Sequence, residues 1–442
     1  MNLQEEKSEH ASVEKCYTLI ITVFSLVVVI YCSSCVEKSK NSSLKLINIE
    51  NGLENIQKVS LSQFADRIQY IPLETQDDLE LSNALHCSFE DSHILVSDGK
   101  TCILYSETGD IISRIGMKGR GPGEYRGINQ IGITPDKRIL IHDYKRLLEY
   151  NLSGEFLGSY YSFQNLSSSG VAGKWLPVND SFLIVQVRND SGTEYYKAAV
   201  IDKFGKISVG FKNYVLFTSE TRGGSTFSTI SSIYNYFGRV GFKEAFNDTL
   251  FYLNHNLNLE PVFYLEMGKY SVTYLDFKSQ RAFEREYAFV RNIFETKESI
   301  FFDLLGLCDS FRRTIPVQET ITLMTGQVIN REIWHYETSL LLVYDKLTEE
   351  SVLVDISRLE GEVFKRGLVN DMDGGPRFYP AFMMDETKLV MPIMVNELKQ
   401  HVASENFKDA PAKHPEKKKA LEELANSLSE SDNPVLMVVR MK

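Results

Sequence analysis

The residues best placed by type and spacing to do chemistry sit in one glycine-rich run, GMKGRGPGEY, at positions 116–125. The exposed amides of such a loop, together with Lys118 and Arg120, could hold a carboxylate or a phosphate. The spacing fits neither GxxxxGK[ST] nor GxGxxG. The glycines therefore read first as positions that allow positive φ in a sharp turn, with Arg120 or Glu124 offered to a ligand. DMDG at 371–374 opens like a calcium loop but lacks the later acidic ligands, so it reads as a turn. Trp334 and His335 could stack on a sugar or simply pack their segment down.

No catalytic constellation emerges from the remaining residues. The eight histidines, among them His86, His93, His142, His255 and His335, show no metal-ligand spacing. No G-x-S-x-G elbow occurs. With 59 acidic residues to choose from, a carboxylate pair for glycoside hydrolysis carries no signal. No catalytic residue, metal or cofactor is expected. The net charge of −11 argues against a nucleic-acid surface, which needs Lys and Arg against phosphates.

Residues 16–36 contain no charge, and 17–32 (YTLIITVFSLVVVIYC) are almost continuously apolar. Lys7 and Lys15 precede the run, although Glu5, Glu6, Glu9 and Glu14 make the leader less basic than usual. The pattern is that of an export signal or a membrane anchor. Ser33 and Ser34 before Cys35, with polar VEKSKNSS after, resemble a bacterial lipoprotein signal cleaved before Cys35, whose thiol would carry the lipid. Cys32 departs from the aliphatic residue usual there, and an uncleaved anchor is the alternative. Either way the body lies outside the inner membrane, on the periplasmic or outer-membrane side. Of the six cysteines, Cys87, Cys102 and Cys308 fall in the body without CxxC spacing, so they read as apolar filler rather than disulfide or zinc ligands.

The elements that must position these residues are set by a repeat. Asp91, Asp98, Tyr105 and Gly109 recur as Asp136, Asp143, Tyr150 and Gly154, every offset being 45 residues. Short alternating strands and tight turns at such a period are the signature of a propeller blade. The abundance of Tyr (22) and Phe (26), with few Ala-rich runs, fits an all-β chain. A leader at 1–34 and a tether with a first extended segment at 35–60 precede a six-bladed β-propeller of four-stranded antiparallel blades at 61–442. The blades fall at about 84–115, 128–160, 174–211, 226–267, 285–357 and 377–442. Blade five carries about thirty inserted residues, and blade six a charged insertion whose later part has a helical pattern. The lone terminal strand NPVLMVVRMK must pair with something. The natural partner is the extended segment at 67–75, which would complete blade six and close the ring.

YIPLET, IGMKGRGPGEY, DYKRLLEYNLSGEFLGSY, DMDGGPRFYP and the NPVLMVVRMK ending resemble the six-bladed propeller lipoproteins of Bacteroides-type bacteria, relatives of the NHL-repeat propellers. The likeness covers nearly everything after the leader. It implies a fold more than an activity, because such proteins mostly lack an assigned reaction. In a propeller the long connections all fall on one face. There Lys118, Arg120, Glu124, Tyr125, Asp143, Lys145, Trp334 and Arg377 are expected to converge around one mouth of the channel. The expected function is a cell-envelope lipoprotein, held to the membrane through its N-terminal lipid, that binds a small ligand, glycan, peptide or envelope protein on that face. The alternative is a hydrolase or lyase acting on a glycan with an acid/base pair at the channel mouth.

Overall fold

Strands such as His93–Ser97 (HILVS) and Ile139–Asp143 (ILIHD) are almost entirely buried instead of alternating in and out. A strand reads this way when both faces of its sheet are covered, and the packing shows why. Ile94, Val96, Ile103 and Tyr105 join one apolar cluster, while Leu95, Cys102 and Leu104 on the same two strands join another. Each sheet is sandwiched between two neighbours, and six such clusters occupy the six seams of a ring.

The structure, a computed structural model, describes residues 44–76, 79–163, 166, 172–189, 192–216, 232–273, 286–306, 339–355, 364 and 366–442, and the backbone of 313–322 and 328–337. It contains six antiparallel blades of four strands each, which run in sequence order from channel to rim in blades one to five. Blade one runs from His86–Glu90 to Ile111–Arg114, blade two from Gln130–Ile133 to Phe156–Tyr160, and blade three from Ala172–Pro177 to Ile207–Lys212. Blade four runs from Ser232–Tyr236 to Leu259–Glu266 and blade five from Ala288–Glu295 to Ser351–Val354. Blade six takes Phe382–Met383, Lys388–Ile393 and Val435–Met441 from the C-terminal part. Its outer strand is Ala65–Pro72, antiparallel to Val435–Met441.

The first extended segment expected within 35–60 is found at Lys45–Asn48, but its place as a parallel fifth strand on the rim of blade four was not read from the sequence. Neither was Ile56–Gln57, a parallel fifth strand on blade five. The insertion in blade five contains a hairpin, Arg313–Thr322 with Val328–Glu337. The insertion in blade six holds three helices, Val395–Ala403, Glu405–Asp409 and Pro415–Ser427, whose Leu398, Val402, Phe407 and Leu421 extend the core between blades five and six.

The repeated glycine has a seam role. Gly109, Gly154 and Gly205 all have φ between 81° and 94° at the turn between the third and fourth strands. A Cβ at each would collide with a carbonyl oxygen near the end of the preceding blade's outer strand, respectively Pro72, Arg114 and Ser162. The closing seam is tied by Asn433, which is buried. Its amide donates to the carbonyls of Glu74 and Leu79 and to the Tyr105 hydroxyl, and its side-chain oxygen accepts from the Leu81 amide. Replacing it with Leu leaves several buried backbone groups unpaired. Asn433→Leu should therefore cost about 2–4 kcal/mol in urea unfolding; a loss under about 0.5 kcal/mol would remove this residue from the closure.

Candidate functional site

The inner strands enclose a cavity of about 1000 Å³ lined by blades one, two, three, four and six. Its layers follow from counting back along each strand from the first hairpin turn. At the turns themselves lie Asp91, Pro135, Asn179, Gly238 and Asp385, which mark the mouth. Above them come apolar side chains, including Ile131, Leu176, Ile233 and Phe382. Four or five residues back from the turns, roughly 15 Å deeper at strand rise, stand His86, Gln130 and Lys174.

This deep layer is polar and connected. The Gln130 side chain donates to the Trp175 carbonyl at 2.5 Å and accepts from its amide at 3.1 Å, joining blades two and three. Lys174 reaches to blade five, where its Nζ donates to Asn292 Oδ1 at 2.6 Å. Asn292 in turn donates to Asp303 at 2.7 Å. Asp303 is buried and also receives a two-pronged contact from Arg291, at 2.8 and 2.7 Å, and the Tyr379 hydroxyl at 2.6 Å. Arg291 and Asp303 thus neutralise each other, and among the described residues Lys174 has an amide partner but no carboxylate.

Lys174 and His86 are reached by water yet surrounded by the inner strands. Burial, opposed by Asp303 and reinforced by Arg291, holds the Lys174 ammonium below its ordinary value. Burial and then the Lys174 charge push the His86 imidazole down. Burial also raises Tyr379, helped by the Asp303 carboxylate beside it. At the mouth, Lys137 pairs with Glu90 and Asp91 across the seam of blades one and two, and Lys388 pairs with Asp385.

Of the eight residues expected to converge, the seven whose side chains are described lie outside the lining of this cavity. Its mouth lies among the first hairpin turns, on the face opposite the long connections. Lys118 and Arg120 are exposed in the glycine-rich loop. Glu124 folds back to accept from the Gly121 amide at 2.7 Å, and a Cβ at Gly119 would strike its carboxylate. Tyr125 is fully buried between blades one and two. Asp143 is buried against Arg146, which also donates to the Glu124 carbonyl; Lys145 is half-buried beside it. Only the backbone of Trp334 is described, opposite Pro316 in the hairpin, and Arg377 is half-buried before blade six.

The loop is thus a tie between blades one and two, with the Tyr150 hydroxyl on the Gly123 carbonyl. DMDG is likewise structural. Burial opposes ionisation of Asp371, but the Ser62 hydroxyl and amide and the Lys413 ammonium hold it below the usual range. Asp373 is raised by burial and caps its own turn at the Gly375 amide. Among the described residues no cluster of three or more His, Cys, Asp or Glu is placed to hold a metal ion. Cys87 and Cys102 are free thiols, each pushed up by burial; Cys35 and Cys308 lie outside the described residues.

Six four-stranded blades around a channel define a six-bladed β-propeller. The chain belongs to the DUF4934 family, a domain of unknown function, which it matches over residues 44–440. A Bacteroides fragilis protein described as exported shares the fold, with a TM-score of 0.62 and 17% identity over 90% of this chain and all (100%) of that one. A DUF4221 member from Bacteroides vulgatus gives a TM-score of 0.43 at 13% identity over 86% and 97% of the two chains. A virginiamycin B lyase from Staphylococcus aureus gives 0.31 at 14% identity over 52% and 65%. Among curated proteins none matches the chain.

A histidine whose folded-state value is lowered binds its proton more weakly than in the unfolded chain. His86 therefore contributes to stability above about pH 6.5 and loses that contribution as pH falls below it. Proton NMR should show the His86 ring titrating below 6.5. A midpoint at or above that value would contradict the burial of the ring beside the Lys174 charge.

Proposed function

We propose that this chain is a cell-envelope lipoprotein whose propeller holds a small ligand in its channel. The observation that carries the reading is the cavity of about 1000 Å³, whose wall is largely apolar and whose deep layer gathers His86, Gln130 and Lys174. That combination of concavity and sparse, placed polarity is what a small-molecule site requires. The volume of the cavity suits a small molecule, a glycan fragment or the end of a peptide. The binding face in this reading is that of the first hairpin turns. The exposed Lys118 and Arg120 are left on the face of the long connections, available to an envelope partner.

Anchoring rests on the leader. An uncharged segment ending in Ser33-Ser34-Cys35 supports lipidation at Cys35, and the exported B. fragilis relative is consistent with life outside the cytoplasm. Among the described residues no helix is long and apolar enough to cross a membrane.

Two experiments test the two halves. Cys35→Ala should abolish labelling by a fatty-acid analogue and leave the leader uncleaved; unchanged labelling would refute the lipid anchor. Asn235 is exposed within the cavity at mid-depth, so Asn235→Trp fills the channel without cutting the core. A neutral fluorescent probe, N-phenyl-1-naphthylamine, should bind the native protein and lose at least about tenfold in affinity in this variant, with the melting temperature kept within a few degrees. Equal binding to both proteins, or to neither, would sink the cavity as the site.

A further inference from the structure

The deep layer of the channel narrows what the cavity can hold. Lys174 is a cation projecting into water between five blades, and its hydrogen-bond partner, Asn292 Oδ1, is a neutral amide. The nearest carboxylate, Asp303, already accepts from Arg291, Asn292 and Tyr379, so its charge is spent. His86 lines the same depth on blade one. Between this floor and the mouth the wall is mainly apolar, with Phe89, Ile131, Leu176, Ile233, Phe382 and Met383 outnumbering Ser88 and Asn235. The mouth carries Glu90, Asp91, Asp385, Glu386 and Glu260 against Arg239, with Lys137 and Lys388 partly neutralising it.

Resting on the channel as the binding site, we propose that the ligand is a carboxylate on an apolar stem, its carboxylate seated on Lys174 beside His86. One available ammonium matches one negative charge. A phosphate monoester brings nearly two, and among the described residues it would meet at this depth neither a second free cation nor a run of backbone amides. The acidic mouth also disfavours polyanions such as acidic glycans, because like charges raise the cost of entry. The apolar wall needs a stem that is neither sugar-like nor charged for most of its length. Lys174 is well suited to the role. Burial leaves its ammonium under-compensated, and an incoming carboxylate supplies a charge-assisted hydrogen bond that Asn292 cannot.

Two sources share this chemistry, an aliphatic acid and the C-terminal end of an apolar peptide, and matched pairs separate them. Decanoate is compared with decanol, and a tetrapeptide of Leu and Phe residues with a free C-terminus is compared with its C-terminal amide. Each competes against N-phenyl-1-naphthylamine on the full chain. In at least one pair the acid should displace the probe at least about tenfold more strongly than its neutral twin, and the winning pair names the source. Lys174→Met should erase that preference, the acid and its neutral twin then displacing the probe equally. Lys174→Arg should retain most of it, which a merely structural role for the lysine would not explain. If the probe binds and is blocked by Asn235→Trp, yet acids and neutral twins compete equally in both pairs, the carboxylate assignment is wrong and the channel site stands. If the probe does not distinguish the native protein from Asn235→Trp, the channel itself is not the site and the assignment falls with it.

Discussion

Everything in this molecule depends on one strand pairing made across nearly the whole chain. Ala65–Pro72 lies antiparallel to Val435–Met441, with Ile68 opposite Val439, Tyr70 opposite Met437 and Asp66 bridged to Arg440. Each blade buries apolar side chains on both of its faces, so an open ring would leave two sheets with an uncovered face and an unpaired edge. Closing the circle removes both exposures at once. It also fixes the number of inner strands around the axis, and with it the bore of the channel. The Asn433 hydrogen bonds and the Gly109 turn packed on Pro72 sit at this same seam, where polar groups that would otherwise be orphaned find partners.

The character of the channel follows from that geometry. Inner strands pointing the same way present equivalent positions at equivalent depths, so residues far apart in sequence form layers. Where a layer carries charge, the charge is shared across blades: Arg291 and Tyr379 converge on Asp303, and Lys174 reaches it through Asn292. Between blades four and five, buried Glu295 is held in the same way by Tyr234, Tyr252 and Lys346. Glu295 is closed off among its donors and serves the seam, whereas Lys174 faces water and keeps capacity for a further partner. The difference between a structural and a binding cluster is therefore one of leftover hydrogen-bonding capacity, not of residue type.

Much of the fold is legible in the sequence because its punctuation is stereochemical. Gly109 and Gly154 recur because only glycine tolerates both the positive φ and the close carbonyl. Asp98 recurs as Asp143 at the turn between second and third strands, accepting from the Thr101 and Lys100 amides in one blade and from Arg146 in the other. Closure is legible because a lone apolar terminal strand needs a partner. The parallel pairing of Lys45–Asn48, a segment legible only as extended, and the strand Ile56–Gln57 were not, since two to four residues bonded to a rim strand leave no periodic pattern. Lys118, Arg120, Glu124, Tyr125, Asp143, Lys145 and Arg377 lie away from the channel for a related reason. The glycine-rich loop is conspicuous in composition, but its Glu124 and Tyr125 are spent on holding the loop to the blades. The channel floor is inconspicuous, because single polar residues on apolar strands look like noise. One signal was present: His86, Gln130 and Lys174 stand 44 residues apart in each case, almost the blade period, which places them in one layer of a ring.

Ring closure is the claim on which the channel and its floor both rest, and amide hydrogen exchange tests it most directly. If Ala65–Pro72 completes blade six, the backbone amides of Val435–Met441 on its ladder open only with the whole ring. They should then show protection matching that of the central strands of blade two, Ile139–Asp143 and Arg146–Tyr150. Exchange at Val435–Met441 faster by orders of magnitude, with blade two still protected, would mean that the strand is loosely attached and the ring is not closed there.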